Sequence, residues 1–341
     1  MHTLRHSFPL IALTAIAWAS TAGAQPLDFV TIGAPGNRAT NALETPSYPD
    51  TPRGSVGYEF RMMRTELTVA QHFEFAQAYL QFNPQAIHDP VFRGGLVRTA
   101  DDQLVILPGT ENTPSPTSWH MAARMCNWYH NGKVNEAWAF ESGAYDTSTF
   151  VRLPDGSRLD QPTRSPGARF WIPSVDEWIK AAYYDPNRYG PGMEGYWQQP
   201  NGTNTTLISD YPQNGGQTNA GYGVDVFNQM AVGQYPGTQS PWALLDVSGG
   251  LSEWSEGYLG RTANSGQLVN SRTVVGSTQG TLSYLWVDPL EGFVRFEGGP
   301  ETLSYGVRIA ALVPAPGSVM ALSSCVLALC RRRRVGDTAA R

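Results

Sequence analysis

Trp171-Ile172-Pro173-Ser174-Val175-Asp176-Glu177-Trp178-Ile179-Lys180-Ala181-Ala182 is the stretch whose reading organises the chain. Ser174 and Glu177 stand three apart ahead of an apolar run, the spacing at which each side chain can accept the other's backbone N–H. That box predicts a helix from Ser174 through Trp178 to Tyr184, ended by Asp185-Pro186 because the residue before proline is pushed out of helical geometry. Glu177 is thereby read as a capping carboxylate and not as a general base. Working upstream, the pair Thr68 and Gln71 predicts a second box and a helix to about Leu80, with Val69, Phe73, Ala76 and Leu80 on one face. Ser118 opens another helix to about His130, carrying Ala122, Met125, Cys126 and Tyr129 inward and stopped by Asn131-Gly132. Tyr58-Glu59-Phe60-Arg61-Met62-Met63 reads as a strand.

Three short helices leave most of the 341 residues unassigned, and 35 Gly, 25 Pro and 10 Trp point to a loop-heavy α+β fold. From about Gly190 to Pro241 the composition reads as long ordered loops. Trp119, Trp128, Trp171, Trp178, Trp242 and Trp254 all fall in patterned segments and are expected in the core, where large rings fill space between few regular elements. No internal repeat is visible.

The ends read differently from the middle. Arg5 and His6, an apolar run from Phe8 to Ala19 and a small-residue stretch before Gln25 form a secretory signal, residues 1–24, cleaved after Ala24. Val313-Pro314-Ala315-Pro316, an apolar stretch from Gly317 to Cys330 and Arg331 to Arg334 make a tail, 313–341, that resembles PEP-CTERM sorting signals. Four arginines held on the cytoplasmic side stall such a helix during export. The resemblance implies an exosortase-type sorting machinery as partner, membrane attachment through the tail, and a place in the cell envelope or at its surface. The formal net charge is −5. Taking away both ends removes six arginines and only Asp337, leaving residues 25–312 more acidic still, a surface that repels nucleic acid. Of three cysteines, Cys325 and Cys330 lie in the tail, so Cys126 stands alone and can form no disulfide within the domain.

Five ordered blocks carry a further resemblance. Gly54-Ser55-Val56-Gly57-Tyr58 leads to Arg64-Thr65-Glu66-Leu67-Thr68-Val69-Ala70-Gln71-His72-Phe73. Pro116-Thr117-Ser118-Trp119 leads to Asn127-Trp128-Tyr129-His130-Asn131-Gly132. After the stretch 171–182 come Ser240-Pro241-Trp242-Ala243-Leu244-Leu245-Asp246-Val247-Ser248-Gly249-Gly250-Leu251-Ser252-Glu253-Trp254, then Arg272 to Thr278 with Tyr305-Gly306-Val307-Arg308. In this order they resemble the formylglycine-generating-enzyme (sulfatase-modifying-factor) family over roughly residues 28–312. The resemblance implies a single α+β domain, the irregular, loop-rich formylglycine-generating-enzyme fold, a variant of the C-type lectin-like architecture.

Asp246 and Glu253 flank a Gly-Gly turn, and tight turns expose the carbonyl oxygens that calcium takes alongside carboxylates. The resemblance implies a structural calcium held by Asp246, the carbonyls of Gly249 and Leu251, and Glu253. A second, from Thr218-Asn219-Ala220, would use Asn219 and the carbonyl of Ala220, with Asp225 as the nearest acid. His72, His88, His120 and His130 form no ligand cluster and are expected at the surface or in caps. The family's oxidase holds copper between two cysteines in the stretch equivalent to Arg272–Arg308, which here contains neither Cys nor His, so no copper is expected. Two readings follow: a non-catalytic module for structure or for binding a protein, peptide or glycan, or an oxidase of the same fold with an unrecognised site.

Overall fold

The computed structural model describes residues 26–154, 158–221, 230–262, 268–278, 290, 294–298 and 305–314. In chain order the strands are β1 (Phe29–Ile32), β2 (Phe60–Met63), β3 (Leu96–Arg98), β4 (Leu104–Ile106), β5 (Val151–Arg152), β6 (Arg158–Leu159), β7 (Phe170–Trp171), β8 (Tyr184–Asp185), β9 (Gly195–Tyr196), β10 (Glu253–Thr262), β11 (Leu268–Val275), β12 (Val294–Gly298) and β13 (Ala310–Ala311). Three α-helices accompany them: α1 (Val69–Leu80), α2 (Trp119–His130) and α3 (Val175–Tyr183). The fold is therefore mixed α/β with small antiparallel sheets. The signal segment and the apolar tail lie outside the described residues, as does Asp225. Among the described residues no helix is long and apolar enough to cross a membrane.

Both boxes close. Thr68 Oγ1 accepts from Gln71 N at 3.3 Å while Thr68 N donates to Gln71 Oε1 at 3.0 Å. Ser174 Oγ accepts from Glu177 N at 3.1 Å, and Ser174 N donates to Glu177 Oε2 at 2.7 Å. Ser118 caps α2 through Met121 N, and Gly132 beyond its end takes a positive φ. All four residues of the expected α2 stripe are buried.

On α1 the buried face is turned from the expected one: Val69, His72, Phe75, Ala76 and Tyr79 are inside, whereas Phe73 and Leu80 are only half-covered. His72 can sit inside because its Nδ1 meets Ser115 Oγ at 2.8 Å and its ring lies against Phe92. This corrects the surface assignment for two of the four histidines, whereas His88 is exposed and His130 half-buried at helix ends. His72 is fully buried, and burial alone lowers its pKa to about 4. His120 is also buried, stacked 4.2 Å from Phe150 and 3.4 Å from Asp160.

The principal sheet runs β1-β2-β13-β7, all antiparallel, so the last described strand is locked between the second strand and the one leading into α3. A second sheet, β10-β11-β12, receives the chain directly from the 246–253 turn. Trp119, Trp128, Trp171, Trp178 and Trp254 are all buried in one core, with Trp242 half-buried against it. Their contacts include edge-to-face pairs, as in Phe75–Trp128 at 5.8 Å and Trp119–Tyr145 at 5.3 Å, and stacked ones, as in Trp128–Phe140 at 6.3 Å. Between 190 and 241 the described residues hold only β9 and a single 3₁₀ turn, Pro212–Asn214, in agreement with ordered loops.

Candidate functional site

The turn from Asp246 to Glu253 is pinned from four directions. Gly249 and Gly250 adopt φ of 98° and 60°, and Asp246 itself lies at 53°. At Gly250 a Cβ would overlap the Glu66 carboxyl, so a side chain there would displace Glu66. Asn219 Oδ1 accepts from Gly250 N at 2.9 Å, Ser277 Oγ from Gly249 N at 2.9 Å, and Glu66 Oε1 from Leu251 N at 2.8 Å. Thr218 Oγ1 donates to the carbonyl of Ser248 at 2.8 Å. The two segments expected to form separate calcium sites thus meet at one turn.

Glu253 opens β10 and is buried, facing Arg308. The guanidinium donates to Glu253 Oε1 at 3.0 Å through Nη2, while Trp178 Nε1 donates to Oε2 at 3.0 Å. Arg308 also reaches the carbonyls of Arg64, at 2.6 Å, and Met63, at 3.2 Å. Burial works against its charge, yet Glu253, with Glu66 and Asp246 beyond, holds its pKa above the usual arginine value. Asp246 Oδ2 accepts from Gly233 N at 2.6 Å, and burial raises its pKa despite that bond and Arg308. A cavity of about 10 Å³, bounded by Asp246, Val247, Ser248 and Tyr235, adjoins this carboxylate. That is room for a single water-sized occupant.

Glu66 is the most perturbed member. It is fully buried, Oε2 has no hydrogen-bond partner, and burial followed by the nearby Glu253 charge drives its pKa well above the carboxylate range. Sequence reading passed over it, although Thr65-Glu66-Leu67 lies inside the block that opens α1. Arg164 and Asp160 were passed over too, and each belongs to a further internal ion pair. Arg164 joins Glu177 at 2.9 Å and Glu256 at 2.8 Å while lying 4.3 Å over the Trp171 ring. Arg272 joins Asp160 at 2.8 Å and lies 3.6 Å over Trp119.

Carboxylate, carboxamide and carbonyl oxygens are the chemistry calcium requires. Among the described residues no hydrogen bond is donated to the carbonyls of Gly249 or Leu251, so both retain free lone pairs. Arg308 is the competitor, since an ion drawing on Glu253 takes an oxygen from the guanidinium. The carbonyl of Ala220 accepts from Ser209 Oγ, and Asn219 Oδ1 is given to Gly250 N, so the second set is already engaged. No group of three or more His, Cys, Asp or Glu placed to hold a metal occurs among the described residues.

Arg272 to Ser277 are buried, and Gly276 packs against the Trp178 ring. Cys126 is fully buried, and burial pushes its thiol well above its ordinary pKa. The chain matches no protein-family model and no characterised protein.

Proposed function

We propose that this chain is an exported, envelope-anchored, non-catalytic member of the formylglycine-generating-enzyme-like family, built on that family's irregular C-type lectin-like fold and serving as a binding or structural module. The five ordered sequence blocks motivate the family and the terminal segments motivate export. What carries the non-catalytic reading is the packing of Arg272–Thr278. The segment that would border a thiol-lined copper site is filled by an arginine–tryptophan stack and by Val274 and Val275. Cys126, in α2, has the burial and raised pKa of a small core hydrophobe and not of a soft metal ligand. In this reading the 246–253 turn holds one structural calcium through Asp246, the carbonyls of Gly249 and Leu251, and Glu253, fixing the entry into β10.

Incubating the purified chain with copper, oxygen and a cysteine-containing sulfatase peptide tests this, with mass spectrometry reading the aldehyde. No aldehyde is expected, and aldehyde formation would overturn the reading, with Cys126→Ala showing whether that thiol takes part. Mass analysis of the native protein should place its first residue at Gln25.

A further inference from the structure

Away from the 246–253 turn, a groove of about 690 Å³ lies where the C-terminal end of α1, the 3₁₀ turn Pro84–His88 and the β3–β4 hairpin meet. That volume falls in the roughly 300–1,000 Å³ range of ligand sites. We infer that this groove binds a neutral oligosaccharide. The inference rests on the binding-module reading and names a ligand class for it.

Amides dominate the lining. Gln77 lies on α1 and Gln81 is that helix's C-cap, four residues further on, while Gln85 comes from the 3₁₀ turn and Gln103 from the hairpin. Gln77, Gln81 and Gln85 are exposed, and among the described residues no protein hydrogen bond engages their side-chain amides. A primary amide presents donors and an acceptor side by side, and a hydroxyl is both donor and acceptor, so adjacent sugar hydroxyls can close paired bonds with each amide. Three separate elements offering the same group suit a ligand that repeats the same complementary group along its length.

Charge argues in the same direction. Asp102 and His88 also line the groove, and Arg98 Nη1 lies 2.7 Å from Asp102 Oδ1 and 3.0 Å from His88 Nδ1. The carboxylate is thereby compensated within the wall, which leaves no strong field for polyphosphates or polycations. Leu80, Ile87 and Leu104 are half-buried and aliphatic, a surface for the C–H faces of sugar rings. A peptide would dock by pairing with a sheet edge or by seating apolar anchors in a hydrophobic groove, whereas here exposed side-chain amides predominate.

The test uses the purified full chain with maltohexaose, cellohexaose, mannohexaose and chitohexaose, read by saturation-transfer NMR and calorimetry. At least one should bind at up to about 10 mM ligand, and Gln81→Ala/Gln85→Ala should weaken it about tenfold with an unchanged melting temperature. Gln103→Ala, on a different element, should weaken the same saccharide. Absence of binding by all four, or binding indifferent to these substitutions, overturns the inference. So does binding of a capped neutral peptide of Gly, Ser and Gln in place of the saccharides, which would assign the groove to polypeptide. None of these results touches the non-catalytic reading, which falls only to aldehyde formation.

Discussion

Glu66 gives the clearest case of a single residue working against neutral pH. Its folded-state pKa is raised above the unfolded value by burial and by Glu253. Its contribution is therefore fully present below the ordinary carboxylate range and is lost as pH rises toward the folded value. Glu66→Gln keeps the acceptor for Leu251 N and removes the proton uptake. The variant should gain on the parent by up to about 1.4 kcal/mol per pH unit above the unfolded pKa, measured by urea denaturation between pH 5 and pH 8. A constant difference across that range would show that Glu66 ionises normally. His72 works in the opposite sense. Its pKa falls from 6.5 to about 4, so its contribution is complete above 6.5 and is lost as pH drops toward 4. His72→Phe should remove roughly 3 kcal/mol of acid destabilisation across that window, read from the same denaturation series.

Among the elements, α3 depends most on its first turn. Its box is reciprocal, and Glu177 also accepts from Trp171 Nε1 at 3.1 Å and Tyr58 OH at 2.6 Å besides pairing with Arg164. Ser174→Ala removes one cap bond and should cost about 1 kcal/mol by thermal or urea denaturation, close to the cost of Thr68→Ala at α1. Glu177→Ala should cost several times more, because it strands a buried indole N–H and leaves Arg164 with Glu256 as its remaining carboxylate partner among the described residues. Equal losses at Ser174 and Glu177 would reduce Glu177 to a cap and nothing else.

For the molecule as a whole, calcium binding to the folded state alone must raise its stability. Loading the purified chain with calcium and then adding chelator should lower the melting temperature by several degrees, and Asp246→Asn should abolish that shift. An unchanged melting temperature in a sample shown beforehand to carry calcium would remove the site, leaving Arg308 as the countercharge of Glu253 among the described residues.

What the sequence determined by itself was local. Ser174 with Glu177, Thr68 with Gln71, and the α2 stripe lie within a few turns of chain, where spacing dictates which groups can meet. The rotation of α1 was not legible, because His72 is admitted to the core by Ser115, a residue outside the helix. Nor was the pairing of Glu253 with Arg308, 55 residues apart, or of Arg272 with Asp160, 112 apart. Asp246 and Glu253 stood out as candidates from their Gly-Gly turn, but Glu66 and Arg308 became their neighbours only when β2, β13 and the 246–253 turn packed together. A buried charge takes its partner from whatever the tertiary fold brings within hydrogen-bond reach, and periodicity along one element carries no record of that choice.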